Sequence, residues 1–441
     1  MTRLLRSFTR FTAWLSLLLF VATSASAQNI REEIAADPYK AGGVYYMYPF
    51  TERTTTPAPA GYVPFHISHY GRHGARFILN NEEYDTPYTV LGQAYRDGKL
   101  TPTGIDFYER FARIYPQLQN RAGDLSPKGQ QQHRLLAKRM YRAYPEIFTH
   151  HPRIDAVSTV VGRCIMSMAA FSEGLKEEDP SLEVHRDVGE IYMLFLNPYL
   201  PSNPELSTED YEYKLPHAPW RATWRRFCNG YLDIDGFLQR IFTDTDYAKS
   251  LCDPFDLELD IFYIAVHMPC TNSDEEFINL FTSEELFRLW ECDNIPYYIA
   301  KGPYPGNKGH MTAIPRPILR EILDAGDAAI ASGEPSVKLR FGHDGCIMGL
   351  LNLMRVGTWA TPTSNPLEIR NLWQSYKIPM ASNLQFIFYK SEQQDEILVK
   401  MLFNEEETLL PLPDDLAPYY RWSDFSRYYR QVLQEAKDNM L

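Results

Sequence analysis

The sequence predicts an α/β fold: a three-layer core with a mainly parallel sheet flanked by helices, plus an inserted α-helical cap lobe. Three observations carry this. Three segments share one layout, a short apolar strand, a turn of polar residues and then a helical pattern, and such units set parallel strands side by side with helices on their faces. Between about residues 195 and 305 the texture changes to apolar residues spaced three and four apart, which suits an inserted helical lobe. Finally, about 414 residues remain after an N-terminal leader, more than a single core usually holds.

Taken in order, residues 1–27 read as a secretory signal. Arg3, Arg6 and Arg10 precede the apolar residues 14–22, and Ala25-Ser26-Ala27 forms a small-residue cleavage site. Export is therefore expected, to the periplasm or fully secreted, with no membrane attachment after cleavage. No later segment approaches ~20 apolar residues, and no cysteine stands near the cleavage site. Removing the three leader arginines leaves 41 basic against 56 acidic residues, a net charge of −15. Such acidity disfavours nucleic-acid binding, and an anionic ligand must be held by a local basic cluster against the global field. Nothing in the pattern sets the oligomeric state.

The first unit is the strand at residues 63–70, followed by Arg72-His73-Gly74-Ala75-Arg76. The second is a strand at 154–158, a turn at 159–163 and a helix at 164–175. The third is a strand at 337–341, the turn Gly342-His343-Asp344-Gly345 and an apolar helix at 346–356. Ligands of open α/β sheets bind outside the carboxyl ends of the strands, where all three polar turns meet. The proline-rich residues 197–204 open the insert, with helical patterns at 220–240, 257–267 and 283–291. Residues 383–389 and 396–402 alternate and read as an antiparallel hairpin at a sheet edge. The expected division is an α/β core from 28–195 and 305–441, with a helical cap at 196–304.

All six cysteines follow the leader, and export permits their oxidation. Cys164 and Cys346 sit in apolar helical runs, where buried free thiols are expected. Pairing among Cys228, Cys252, Cys270 and Cys292 stays open.

Two guanidinium groups and an imidazole within five residues point to phosphate chemistry. A guanidinium offers a rigid fork of donors matched to phosphate oxygens, and an imidazole among them can act as donor or nucleophile. Gly74 lets backbones approach closely. A metal site on His66, His69 and His73 would need a helix, but Pro64 and the flanking apolar residues favour a strand, which points His66 and His69 to opposite faces. A Ser-His-Asp site could draw on Ser68, Ser158, His343 and Asp344. It lacks a G-x-S-x-G elbow and has no use for several arginines. Walker A and dinucleotide fingerprints are absent.

With Ser158-Thr159-Val160-Val161-Gly162-Arg163 through Ser167, and His343-Asp344, the chain resembles the acid phosphatase and phytase branch of the histidine phosphatase superfamily. The order and spacing match across nearly the whole mature chain. The resemblance implies that His73 attacks phosphorus to give a phosphohistidine, that Arg72, Arg76, Arg163 and His343 neutralise the phosphate oxygens, and that Asp344 is the general acid and base. It implies no cofactor, no metal and a small phosphorylated substrate as partner. The function it implies is that of an exported phosphomonoester hydrolase acting most naturally on inositol polyphosphates. A broad acid phosphatase on sugar phosphates or nucleotides is one alternative, and a non-catalytic phospholigand-binding protein is another.

Departures from the branch are informative. Phe77-Ile78 stands where many members have proline, and Ile78-Leu79-Asn80 where phytases often carry a lysine for outer phosphates. The stretch from Gly42-Gly43-Val44-Tyr45-Tyr46 to His69-Tyr70-Gly71, and Leu384-Gln385-Phe386-Ile387-Phe388, look like bacterial relatives of multiple inositol polyphosphate phosphatases. Those typically carry His-Ala-Glu where this chain has His343-Asp344-Gly345, so the proton donor is of the phytase type. Lys301, Lys308, Arg221, Arg225 and Arg226 are the basic candidates for outer phosphates.

Overall fold

The computed structural model describes residues 29–201, 203–204, 217–413 and 415–438. The expected leader and part of the proline-rich opening of the insert lie outside the described residues. One sheet organises the chain, from β1 (Tyr62–Arg72), β2 (Arg153–Ser158), β3 (Val184–Val188), β4 (Ser336–Gly342), β5 (Asn383–Ser391), β6 (Leu398–Phe403), β7 (Glu406–Glu407) and β8 (Tyr419–Arg421). The order is β3-β2-β4-β1-β5-β6-β7, and β8 pairs with β6. The strands of the three units, with β3 added at the edge, are mutually parallel. From β5 onward pairing is antiparallel, beginning with the expected hairpin. β1 is the seam between the two halves.

That central place explains the composition of β1. It is buried on both faces from Phe65 to Arg72, so its side chains alternate between two cores rather than between core and water. Ile67 meets Leu136, Met140, Met168 and Phe171 of helices Pro127–Ala143 and Gly162–Glu178. Tyr70 joins the opposite core with Ile318, Leu323, Ile347, Phe425 and Tyr429 of helices Arg316–Ser332, Asp344–Leu353 and Trp422–Asp438. These are the three expected layers. Pro64 is tolerated because the β1–β5 register breaks at a bulge between Pro64 and His66.

A second body is mainly helical, and none of its buried apolar residues comes from the eight strands of the sheet. It contains the expected helical patterns, observed as Ile234–Ile241, Pro254–His267 and Ser283–Lys301, with Pro219–Tyr231 packed alongside. Helices Glu82–Arg96 and Pro102–Leu118 contribute Tyr84, Leu91, Phe107 and Phe111 to the same cluster. The helical body thus draws on chain from both sides of the second unit. Among the described residues no helix is long and apolar enough to cross a membrane. All six cysteines are free thiols, and Cys164 and Cys346 are buried.

Candidate active site

The three polar turns meet at the carboxyl ends of the parallel strands and are stitched together by backbone. His73 N donates to Gly342 O at 3.1 Å and Thr159 N to Phe341 O at 3.1 Å, while Ala381 N donates to His73 O at 2.9 Å. Gly74 then lies backbone to backbone against Gly129 at the start of helix Pro127–Ala143. A Cβ at Gly74 would stand 2.4 Å from Gly129 O, and one at Gly129 would stand 2.2 Å from Ala75 O. Gly74 N donates to Ser167 Oγ at 3.1 Å and Ala75 N to Gln132 Oε1 at 2.7 Å. The motif loop is fixed by helices on one side and strands on the other.

His73 is buried, with Nδ1 2.9 Å from Gly74 O. A carbonyl only accepts, so Nδ1 carries the proton and Nε2 keeps its lone pair. Burial first, then the charges of Arg72, Arg163 and Arg76 and the His343 ring, hold His73 well below the ordinary imidazole range. A neutral imidazole with a fixed tautomer is what nucleophilic attack on phosphorus requires. The His343 ring stands near-perpendicular to it, with centroids 5.9 Å apart. Burial and Arg163 bring His343 to about 3.

Three guanidinium groups surround this histidine. Arg72 is fully buried and is gripped through one nitrogen by Val44 O at 2.6 Å and Ile378 O at 3.0 Å. Arg76 donates to Phe77 O at 2.9 Å and lies 4.9 Å from the Tyr45 ring centroid. Arg163 enters in the first turn of helix Gly162–Glu178, whose N-terminus favours anions. The Nε atoms of all three are buried with no hydrogen-bond partner among the described residues. Buried donors of this kind are costly unless an acceptor meets them, and an oxyanion is the acceptor their fork geometry suits.

Asp344 opens helix Asp344–Leu353 as its first residue, with His343 in the capping position. Its Oδ1 accepts from Gly345 N at 2.6 Å and its Oδ2 lies 2.8 Å from an Arg72 nitrogen. Burial opposes its ionisation, but Arg72, Arg76 and His343 outweigh burial and bring the carboxyl to about 2. Without substrate Asp344 is therefore a carboxylate. A phosphate anion bound beside it would take up the arginine charge that holds it down and so raise its carboxyl.

All six residues expected in the site converge there. The other motif histidines do not join them. His66 lies against Ser336, with Nδ1 2.8 Å from its Oγ, whereas His69 packs on Phe171 and Phe341 on the opposite face of β1. Sequence reasoning missed the helical wall of the site. His267 donates from Nε2 to Arg76 O at 2.5 Å and lies 3.3 Å from the Tyr84 hydroxyl. Tyr45 flanks Arg76, whose guanidinium lies 4.9 Å from its ring centroid. Tyr297 sits near Arg72 and Asp344, and the buried Asp293 lies behind it. Apart from Tyr45, which adjoins the Gly42-Gly43 pair, none of these carries a motif.

Residues 71–194 match the family described as histidine phosphatase superfamily (branch 2). Multiple inositol polyphosphate phosphatase 1 of Gallus gallus is 24% identical over 434 residues, covering 94% of this chain and 90% of the relative. Its Homo sapiens namesake is 22% identical over 332 residues, covering 71% and 67%. Among solved structures, Bifidobacterium longum multiple inositol polyphosphate phosphatase in complex with inositol hexasulfate superposes with a TM-score of 0.74 at 17% identity, covering 87% of this chain and 96% of that one. The phytase from D. castellii gives a TM-score of 0.60 at 13% identity, covering 90% and 85%. The chain is thus similar to the histidine phosphatase superfamily (branch 2) over residues 71–194 and to proteins named multiple inositol polyphosphate phosphatase along most of its length.

Proposed function

We propose that the protein is an exported phosphomonoester hydrolase that removes phosphate from inositol polyphosphates through a phosphohistidine on His73. The observation that carries this is the fixed tautomer of a buried neutral His73 among three guanidinium groups with unpartnered Nε donors. In the first step His73 Nε2 forms a bond to phosphorus as the ester P–O bond breaks. Asp344, protonated once the bound phosphate offsets Arg72 and Arg76, gives its proton to the departing alkoxide. Arg72, Arg76, Arg163 and His343 hold the three non-bridging oxygens as charge builds on them. In the second step a water attacks phosphorus, Asp344 takes its proton, and the P–N bond breaks to release inorganic phosphate and restore His73. No step needs a metal or a cofactor.

The substrate class rests on the named relatives and on Lys301. Its ammonium lies 3.2 Å from the Tyr199 ring centroid, and its Cε lies 2.7 Å from where a Cβ at Gly345 would stand, next to Asp344. Among the other basic candidates, Arg225 is held by Asp253 and Asp256, Arg226 donates to Thr223, and Arg221 stacks on Trp220. The division into an α/β core of 28–195 and 305–441 with a 196–304 cap belongs to the same proposal, with helices Glu82–Arg96 and Pro102–Leu118 of the first core segment packing on the cap and the substrate between the two bodies.

The test is phosphate release from phytate, glucose phosphate and an aryl phosphate with chelator present, at about pH 4 to 7, for wild type and His73→Ala. Chelator-resistant release that is fastest on phytate and lost in the variant is expected. Release from simple esters that matches or exceeds release from phytate would remove the inositol assignment, and release surviving in His73→Ala would remove the histidine mechanism.

A further inference from the structure

Two of the three cradle arginines are held by one short segment. Residues Pro38–Tyr45 form a strap along the helical body, and its Val44 carbonyl accepts from Arg72 at 2.6 Å while its Tyr45 ring faces Arg76. The strap turns at Gly43, where φ is +54°. That is the left-handed region glycine tolerates. A Cβ there would stand 2.7 Å from Ser375 Oγ and 3.2 Å from Asp293 Oδ2. The Asp293 carboxyl is therefore wedged directly beneath the turn that presents Val44 and Tyr45 to the site.

Asp293 is buried. Tyr263 donates to its Oδ1 at 2.6 Å, and Oδ2 has no hydrogen-bond partner among the described residues. The Tyr263 and Tyr45 rings pack at 5.8 Å, and Tyr45 packs in turn on His267 at 5.5 Å. The neighbouring Asn294 and Trp290 fasten the same helix to Ser375 and Trp373, so Asp293 has little room to move away from the strap.

We propose that Asp293 is a positioning residue for the phosphate cradle, setting through the Gly43 turn how Val44 and Tyr45 hold Arg72 and Arg76, and that its ionisation opposes anion binding there. This rests on the phosphatase reading only in taking the arginine cluster as the phosphate site. Burial, against the Tyr263 hydroxyl and with Glu83 adding, raises its carboxyl to about 7, so the charge changes within the range where the protein can be studied. The titratable groups facing it are Tyr263 from helix Pro254–His267, Glu83 from helix Glu82–Arg96, Tyr45 from the strap and Tyr297 from its own helix. The three tyrosines are pushed upward by burial, and Glu83 is also raised by burial. Asp260, brought to about 8 by burial, titrates beside Glu82 and Glu83.

The test uses inorganic sulfate, a dianion of fixed charge, so its own protonation does not enter. Sulfate binding to the full chain is read by calorimetry from about pH 6 to 8.5, with kcat and KM measured separately. We expect wild-type affinity to fall about tenfold across this range, the effect of one added charge near the site, and Asp293→Asn to flatten the fall. Tyr263→Phe, a milder change, is expected to move the midpoint upward by removing a bond that favours the carboxylate. Glu83→Gln and Asp260→Asn are expected to keep the fall. An unchanged fall in Asp293→Asn, or a flattened one in either control, would overturn the proposal. So would a loss in Asp293→Asn confined to kcat with the sulfate profile intact. Because calorimetry needs no turnover, sulfate binding with this profile in a protein that releases no phosphate would sink the phosphatase reading alone.

Discussion

The two walls of the site are made differently. On the sheet wall, Arg72, His73, Arg163, His343 and Asp344 all come from turns at the ends of parallel strands or the first turn of the helix that follows. On the helical wall, Tyr45, His267, Asp293 and Tyr297 come from a strap and two helices that lie between the two bodies, Tyr45 and Tyr297 packing on the core of the sheet body. The sheet wall supplies the reacting atoms and the charge. The helical wall supplies phenols and an imidazole beside the arginine motif, and a carboxyl behind the strap that holds Arg72. Chemistry on one wall therefore depends on the protonation states and packing set by the other.

The sharpest way to probe the sheet wall alone is Asp344→Asn. It keeps the side-chain shape but removes the proton, so esters with poor leaving groups should slow by about 10² to 10⁴-fold while an activated aryl phosphate slows far less. Equal losses on both, measured as kcat/KM, would count against Asp344 as the acid.

Gly74→Ala probes how the sheet wall is held. The new Cβ would meet the Gly129 backbone at 2.4 to 2.8 Å, and overpacking against backbone costs about 1–3 kcal/mol. Urea unfolding should show that loss. A variant of wild-type stability would mean the loop can shift, and the close approach would then not be what fixes His73.

Tyr45→Phe addresses the helical wall. The ring stays over Arg76 while the hydroxyl beside the guanidinium is lost, and a charge-assisted hydrogen bond of about 1.5–3 kcal/mol when fully formed sets the upper limit. KM should rise about threefold to tenfold, with kcat changed less. A change in kcat without a change in KM would show that Tyr45 acts on the transition state rather than on phosphate binding.

The last effect is spread over both walls and is read in acid stability. His66, His69, His133, His267 and His343 are each brought by burial to about 3 from an ordinary 6.5. The unfolded chain takes up protons near 6.5 that the folded chain refuses until about 3. The associated stability is therefore complete above the ordinary value and lost progressively as pH falls toward 3, by up to about 1.4 kcal/mol per pH unit for each histidine. The urea midpoint should drop steeply between about pH 6.5 and 4, and His133→Leu should make the drop shallower. A flat profile would mean that these imidazoles are solvated in the folded protein.

The same contrast explains what could be read from the chain. Arg72 to Arg76, Ser158 to Ser167 and His343-Asp344 are legible because a strand-end turn puts its functional residues consecutively, within a few positions of an apolar run. Strand β3, with the sequence Val-His-Arg-Asp-Val and mostly exposed or intermediate positions, gives no apolar signal and was not expected. The helical wall is illegible for a different reason. Asp293 lies mid-helix between Cys292 and Asn294, where an acidic residue reads as a solvated face, and only tertiary packing buries it against Gly43. Likewise, helices Glu82–Arg96 and Pro102–Leu118 carry the period of any helix beside a sheet, and nothing local says that they pack on the other body.

The central claim is that His73 carries the phosphoryl group, and the direct measurement is to trap it. Wild type mixed with phytate and quenched in base within the first turnover, then digested and weighed by mass spectrometry, should show a phosphoryl adduct on the peptide containing His73. The adduct should be lost in acid, should accumulate on addition of an activated aryl phosphate to Asp344→Asn, and should be absent from His73→Ala. Turnover with no adduct on that peptide under any of these conditions, or an adduct on another residue, would contradict it.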